Sequence, residues 1–592
     1  MLAISGRKCK PMLPLARFLS KNCSSAIVGV ALQNRPNRYQ GTTNTPYNPG
    51  PSLYRRPPAR HPHRNPITLY RNVEHRLSRL ANAGLAPLLR GGGVGVEKES
   101  LRVAPSGCIS QRAHPLALGS PLTHPYLTTD YSEALIELIT PPFAGVVPAL
   151  EFLRDAQQFV CDNLDDEILW GTSMPCVLEA ADNIPIAEYG RSNLGMMKTV
   201  YRRGLGHRYG KAMQVISGMH FNYSLPLSFW PGFQELEADR RPAQGFIAES
   251  YFALIRNLLR VGWLVPYLFG ASPAVCKSFL GGKPTRLLEF DETTYYEPFP
   301  TSLRMGDIGY QNSKELGAGV KADYSSLEDY VASLTRAIGT PSPQYQRIGV
   351  KVNGRYEQLN ANILQIENEY YSSVRPKQVP EGNEKPTLAL RRRGVRYVEL
   401  RSPDVNAFEP LGISEPQARF LEALMAFCLL AESPVINLHE RQEIDRNLGG
   451  VAHRGRDPGL YLQRNGLEVR LRDWGREILQ AMQGVCELLD ADDPDRPYTT
   501  SLQRQRDLME DPDLTPSARM LAEMRERGEG FFGFAQRMSM QHQKYFRGLE
   551  LSPERRELFL QETERSLQRQ REIEAADGQS FDDFLADYFA QR

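Results

Sequence analysis

The first 73 residues contain no aspartate and no glutamate; Glu74 is the first acid. Arg, Lys, Pro, Asn and Ser are frequent there, as in Arg55-Arg56-Pro57-Pro58-Ala59-Arg60, and such a composition cannot bury a core. Acid-free N-termini bearing Arg and Ser also occur as organellar transit peptides. Residues 1–70 are therefore expected to be a disordered or transit-like leader without chemistry. Net charge is scarce as well: 71 Lys and Arg stand against 69 Asp and Glu, leaving +2 and no basic field for nucleic acid. The eight cysteines lie far apart without a C-x-x-C, which argues against a zinc cage or a disulfide framework and predicts reduced thiols in a cytoplasmic protein. No apolar run reaches membrane length. The most apolar stretch, 261–273, follows Arg256 and Arg260, is broken by Gly262 and Pro266, and reads as buried core. Gly91-Gly92-Gly93 lacks the spaced Lys-Ser/Thr of a phosphate loop.

What is present is an ordinary globular composition, 41% hydrophobic and 24% charged. The central stretch is Gly95-Val96-Glu97-Lys98-Glu99-Ser100-Leu101-Arg102-Val103. As a strand it places Glu97 and Glu99 on one face. Side by side they repel unless a hard cation such as Mg²⁺ lies between them; the other reading is an edge strand with solvated charges. Upstream, 69–89 reads as one helix ended by glycines. At 134–142 helix and strand both stay open. Asp130 with Glu133 resembles a capping pair, whereas Leu-Ile-Glu-Leu-Ile-Thr before Pro-Pro suits a strand whose lone charge, Glu137, needs a partner or a metal. Residues 148–164 and 244–260 read as helices.

The run 214–224 alternates. Val215, Met219, Phe221 and Tyr223 share one face; Gln214, Gly218, His220, Asn222 and Ser224 share the other, either a polar floor for a site or a setting for a structural histidine. Residues 363–371 read as a strand with a basic exit at 374–377. In 395–402, Tyr397, Glu399 and Arg401 share a face, as a plain ion pair or as a metal ligand beside a phosphate clamp. Arg304 and Tyr310 stand in a loop-like stretch as an anion fork and an aromatic wall, and 281–282 and 380–386 are candidate closing loops. Beyond 409 the chain is expected to be helical. The segment 417–430 should pack on the sheet, and a supporting helical part from about 440 includes helices at 516–527 and 553–576.

Seven stretches, taken in order, resemble the glutamate–cysteine ligase (γ-glutamylcysteine synthetase) family of proteobacterial type 1. They are 95–103, Leu-Thr-Thr-Asp-Tyr-Ser-Glu-Ala-Leu-Ile-Glu-Leu-Ile-Thr-Pro (127–141), Ile-Ser-Gly-Met-His-Phe-Asn-Tyr-Ser-Leu-Pro (216–226), Pro-Tyr-Leu-Phe-Gly-Ala-Ser-Pro (266–273), Thr-Ser-Leu-Arg-Met (301–305), Leu-Gln-Ile-Glu-Asn-Glu (364–369) and Tyr-Val-Glu-Leu-Arg-Ser (397–402). The resemblance covers 71–592 and implies an α+β fold, a glutamine-synthetase-like curved antiparallel β-sheet forming a cup with helices outside. It implies ATP-dependent ligation of the L-glutamate γ-carboxyl to the amine of L-cysteine through γ-glutamyl phosphate, the first step of glutathione biosynthesis. A related glutamate ligase with another amine acceptor is the alternative.

Carried onto this chain, the resemblance assigns Glu97, Glu99, Asp130, Glu137, His220 and Glu399 as ligands of about two or three Mg²⁺ (or Mn²⁺) ions. Arg304, Arg401 and Arg202 would hold carboxylate and phosphoryl oxygens. Tyr131, Tyr201, Leu205, Gln214, Tyr310 and Tyr371 would line the cysteine pocket, with Tyr131 standing where the family usually has Phe. The expected partners are ATP, glutamate and cysteine, bound by a cytoplasmic monomer that engages neither nucleic acid nor membrane.

Overall fold

The computed structural model describes residues 70–176, 183–309, 321–491 and 493–591. The chain divides into units Met1–Thr68 and Leu69–Arg592, and every described residue belongs to the second. The leader expected at 1–70 lies outside the described residues apart from Tyr70, and so does Tyr310.

The architecture rests on one eight-stranded sheet with helices packed against it. In chain order its elements are β1 (Gly93–Val103), β2 (Leu127–Thr129), β3 (Leu135–Ile139), helix α1 (Val146–Asp162), helix α2 (Asn193–Tyr209) and β4 (Met219–Ser224). Then come α3 (Ala243–Val261), β5 (Val374–Lys377), β6 (Tyr397–Leu400), α4 (Glu415–Leu430) and the last helix, α5 (Phe581–Ala590). The strands lie in the order β5-β6-β4-β1-β3-β2, every pair antiparallel, with Phe143–Ala144 and Ile168–Leu169 pairing at the ends of β1.

Period-two alternation sorts the side chains of these strands into two faces. Val94 and Val96 of β1, Ile136 and Leu138 of β3, Met219, Phe221 and Tyr223 of β4, and Val398 and Leu400 of β6 all enter one apolar core with α1, α3 and α4. Each such side chain contributes about 1.5–3 kcal/mol on burial, so the pairing is held by this face. Residues of the other parity, Glu97, Glu99, Glu137, His220 and Glu399, point away from it. Lys98 is the exception on the apolar side. It is 2% exposed, and its Nζ donates to Gln157 Oε1 of α1 (2.8 Å) and to the Pro410 carbonyl (3.0 Å). Burial pushes its pKa down to about 7.

Several readings of the sequence are settled by the fold. The open stretch at 134–142 is a strand, and helices Pro516–Arg527 and Pro553–Ala576 stand where periodicity put them. The helix expected at 69–89 is two, Arg71–Asn82 and Ala86–Arg90, parted at Gly84, whose φ of +69° no helix accommodates. Gln214 and Val215 belong to a 3₁₀ turn, so the strand starts only at Met219. Residues 363–371 are not a strand. Gln365 N–H donates to Glu369 Oε2 (2.6 Å), and such side-chain bonds pull the backbone out of a ladder and into the 3₁₀ turn Glu367–Glu369. The strand is instead β5, the supposed basic exit. The C-terminal part is not purely helical: Tyr461–Arg464 and Leu467–Arg470 form a hairpin across Asn465-Gly466, both at positive φ (+54° and +78°). That Asn-Gly pair is a hairpin signal in the sequence itself.

The expectation of reduced thiols is corrected as well. Cys176 and Cys276, 100 residues apart, form a disulfide across a Cα–Cα distance of 5.6 Å, a proximity that sequence spacing does not encode. Cys108, Cys161, Cys428 and Cys486 are free thiols. Among the described residues, no helix is long and apolar enough to cross a membrane.

Lys98 yields a stability prediction. Between pH 7 and 10.5 the unfolded chain keeps a proton that the folded chain sheds, so folding stability rises with pH across that window and is lowest below it. Denaturation midpoints of the wild type relative to Lys98→Met are therefore expected to rise between neutral and alkaline pH, by up to about 1.4 kcal/mol per pH unit. A pH-independent difference would show that the buried amine stays charged.

Candidate active site

Strand register assembles the acids. Glu97 of β1 stands opposite His220 of β4, Glu99 opposite Glu137 of β3, and Glu399 of β6 opposite Asn222 of β4. His220 Nδ1–H donates to Glu97 Oε2 (2.9 Å), and Asn222 Nδ2–H donates to Glu97 Oε1 (2.8 Å). His220 Nε2 lies 3.7 Å from Glu99 Oε1, and its Nδ1 lies 4.0 Å from Glu399 Oε1. Glu99 Oε2 accepts the Gly218 N–H at 2.7 Å. One candidate ligand atom each from Glu97, His220 and Glu399 lies within 4.8 Å of the others, and the same holds for Glu99, Glu137 and His220.

Crowding and burial act on these acids unequally. Burial, followed by the charges of Glu97, Asp130 and Glu99, pushes the Glu137 carboxyl well above the usual range. Burial also raises Glu99. For Glu97 burial is outweighed by the hydrogen bond and charge of His220, and the net shift is downward. Glu399 is lowered too, because Lys377 Nζ at 3.0 Å and Arg401 Nη1 at 3.3 Å more than offset its burial. His220 Nε2 and Asn222 Oδ1 are buried and have no hydrogen-bond partner among the described residues. Oxygen donors in close groups, beside an orphaned imidazole nitrogen, are the donor chemistry of a hard divalent cation.

The cluster borders a cavity of about 400 Å³ that Asp130, Arg202 and Arg401 also line. Asp130, in the turn between β2 and β3, stands outside both close groups, and its carbonyl accepts from Arg202 Nε. Five of the six residues expected around the cysteine, Tyr131, Tyr201, Leu205, Gln214 and Tyr371, line the same cavity; the sixth, Tyr310, is not among the described residues. Helix α2 is started by its N-cap Ser192, whose Oγ accepts the Gly195 N–H, and helical spacing turns Tyr201, Arg202 and Leu205 to the cavity together. Tyr371 Oη donates to Gln214 Oε1 at 2.7 Å, whereas Tyr131 Oη and Gln214 Nε2 find no hydrogen-bond partner among the described residues.

Arg304 is 2% exposed. Its guanidinium donates to the carbonyls of Arg401 (2.9 Å) and Ser402 (3.2 Å) and lies 3.5 Å from Asp404 Oδ1. It fits only because residue 218 is glycine: a Cβ there would stand 2.0 Å from Nη2. Sequence reasoning left three residues without a role. Asn222 was visible on the polar face of its strand. Lys377 lay in the supposed exit. Lys198, one turn before Arg202 on α2, lines the cavity with its amine pushed down to about 8 by burial and 5.1 Å from the Tyr189 ring centroid.

A family described as glutamate-cysteine ligase matches residues 77–451. The chain belongs to the glutamate–cysteine ligase family. A glutamate–cysteine ligase from Alcanivorax borkumensis is 46% identical over 528 residues, 88% of this chain and 99% of its own length. One from Azotobacter vinelandii is 48% identical over 518 residues, covering 87% and 97%. The crystal structure of the Francisella tularensis glutamate–cysteine ligase in complex with AMP matches with a TM-score of 0.79 at 35% identity, over 84% of this chain and 97% of that one. A bifunctional glutathione synthetase from Pasteurella multocida matches with a TM-score of 0.64 at 25% identity, over 80% of this chain and 55% of that one. The α+β, glutamine-synthetase-like fold expected of a glutamate–cysteine ligase is therefore the fold of this chain.

The raised Glu137 carboxyl supplies a test. An acid whose folded pKa lies above its unfolded value costs stability as pH rises. With chelator present, Glu137→Gln is expected to be more stable than the wild type at pH 8, by on the order of 1 kcal/mol, and the gain should fade towards pH 4.5. Thermal melts across that range decide it; a gain that grows on acidification contradicts the assignment.

Proposed function

We propose that the cavity joins the γ-carboxyl of L-glutamate to the amine of L-cysteine, with ATP and Mg²⁺ (or Mn²⁺), through γ-glutamyl phosphate. Glutamate–cysteine ligation, the first step of glutathione synthesis, is the activity of the family to which the chain belongs. The observation that carries the mechanism is the convergence of Glu97, Glu99, Glu137, His220 and Glu399 beside a cavity that also holds arginines and an aromatic wall. The AMP bound by the Francisella enzyme supports a nucleotide as the phosphoryl source.

A carboxylate is a poor acyl donor because its leaving group would be oxide; phosphorylation turns the leaving group into phosphate. Negative charge from ATP and glutamate then converges on one point, and catalysis is mostly positioning and charge neutralisation. Mg²⁺ held by the acid cluster, with Asp130 at its margin, would supply the charge that lets phosphoryl oxygens approach the carboxylate. Arg401 faces the cavity beside Glu399 and takes phosphoryl oxygen, with Arg202 supporting it from α2. Arg304, which stands outside the cavity lining, braces the Arg401–Ser402 backbone and so positions Arg401. Tyr131, Tyr201, Leu205, Gln214 and Tyr371, with Tyr310, seat the cysteine, whose sulfur packs favourably against ring edges. We place the enzyme in the cytoplasm, acting as a monomer.

Four outcomes test this reading. Glu97→Gln is expected to lower ADP release by at least about 100-fold, with the far-UV circular dichroism retained; unchanged turnover removes Glu97 from the metal site. Magnesium is expected to raise the melting temperature of chelated wild type, by about 2.7 kcal/mol of stability at 100 times its Kd, and to leave Glu97→Gln nearly unmoved. With a panel of amines, cysteine is expected to give the highest kcat/KM. Tyr131→Phe removes an unpartnered, buried hydroxyl from a residue of the cavity wall. It should therefore raise the cysteine-to-serine ratio by roughly 0.5–1.5 kcal/mol, about 2- to 10-fold; a fall in that ratio would place Tyr131 elsewhere.

A further inference from the structure

Helix α5 ends the described chain and lies beyond the 77–451 span matched by the family. Its start is firmly set: Ser580 Oγ caps it by accepting the Asp583 N–H, and Asp582 and Asp583 sit in its first turn. Leu585 and Tyr588 are buried against Met197 and Val200 of α2, the helix that presents Tyr201, Arg202 and Leu205. A second tie runs from the start of α2, where Asn193 Nδ2–H donates to Asp577 Oδ1 (2.6 Å) and to the Gln579 carbonyl (2.9 Å).

Two features connect this helix to the reaction. Tyr588, only 8% exposed, lines the same cavity as Glu97, Glu399 and Arg401. Its last turn is also fastened to the 380–385 loop, of which Pro380, Gly382, Asn383 and Glu384 line that cavity. Lys385 Nζ donates to the Phe589 (2.9 Å) and Gln591 (3.2 Å) carbonyls, and Lys385 N–H donates to Gln591 Oε1 (3.1 Å). Gln591 Nε2–H returns a bond to the Asn383 carbonyl (3.0 Å). A lysine at the unsatisfied carbonyls of a helix C-terminus is favoured by both hydrogen bonding and the helix dipole. Neither Tyr588 nor Lys385 belongs to the acid cluster or to the pocket assigned to cysteine.

We propose that α5 is part of the active site: Tyr588 walls the cavity, and the Lys385–Gln591 fastening holds the 380–385 loop against it, keeping water from the acyl phosphate. This role rests on the ligase reading above. The chemical reason is that γ-glutamyl phosphate decays without the second substrate. In that leak a water oxygen adds to the γ-carbonyl carbon and the bond from that carbon to the phosphate oxygen breaks. Phosphate leaves with the electron pair and one proton is released, so the net result is ATP hydrolysis. A helix that shields the intermediate acts on coupling, not on the chemical step, and both residues are positioning residues.

The test is made on the full chain by measuring ADP and γ-glutamylcysteine in parallel. The wild type is expected to form them one to one. Lys385→Met combined with Gln591→Ala, and separately Tyr588→Ala, are expected to raise ADP per dipeptide by about threefold or more, and to raise glutamate-dependent ADP release without cysteine by a similar factor. Tyr588→Phe, which keeps the ring, should bring the ratio back towards one. Should Tyr588→Ala fail to fold, the Lys385/Gln591 pair, both only half-buried, decides the matter. Variants that fold and keep a one-to-one ratio overturn the role of α5, even if their turnover falls. A wild type that forms no dipeptide overturns the ligase reading instead.

Discussion

Repulsion among carboxylates crowded on one face of one sheet is the constraint that the rest of the molecule answers to. Left free, strands bearing Glu97, Glu99, Glu137 and Glu399 would separate or slip. They are held by what lies behind them. A one-residue slip at β1–β4 or β1–β3 would carry Val96, Leu138 and Phe221 out of the core and the acids into it. The apolar face therefore determines the position of the acid face, and the site inherits the precision of the core without contributing to its stability. This is also why the ligands come from strands far apart in sequence: antiparallel neighbours put opposed side chains about 4.5–5.5 Å apart, a spacing that ligands of one ion can use.

How much of this was legible depended on whether the deciding physics was local. Alternation is local, so the strand carrying Glu97 and Glu99, the polar face of His220 and Asn222, and the helices at 516–527 and 553–576 could be read directly. The stretch 363–371 misled because its apolar alternation was outcompeted by Gln365 and Glu369 bonding to backbone and to each other's neighbourhood, an outcome that also requires Arg208 Nη1 at 2.8 Å from Glu369. The Asn465-Gly466 hairpin was readable and was passed over amid helical surroundings. The Cys176–Cys276 bond, the Lys377–Glu399 pair and the approach of Tyr588 to the cavity had no local signal, since each depends on where remote segments dock. Family likeness supplied Arg202 and the cysteine pocket, which composition and spacing alone did not.

Charge around the cluster is distributed so that its two ends differ. At one end, Glu399 already faces Lys377 and Arg401, and its carboxyl is held low. At the other end, Glu99 is relieved by the His220 ring, the Gly218 N–H and the charges of Arg401 and Arg304, and Glu137 stands among acids; burial outweighs that relief, and both carboxyls are pushed up. Lys98 stands between Glu97 and Glu99 in sequence, yet it cannot neutralise them. The pleat turns it into the opposite face, where burial brings it close to losing its proton.

The two ends therefore gain unequally from a divalent ion. Binding at Glu399 must displace or share two cations already in place, so much of the Coulombic gain is returned. Binding between Glu99, Glu137 and His220 relieves acid–acid repulsion and gives the orphaned His220 Nε2 a partner, so the same charge yields more. On the proposed reading, the larger gain from an added cation would come at the Glu137 end, next to Glu97. The Glu399 end, already balanced by Lys377 and Arg401, is suited to charge that arrives and leaves with the nucleotide. An enzyme that must release ADP and phosphate every cycle needs that inequality, because a cluster equally starved of cations at both ends would hold its products as firmly as its substrates.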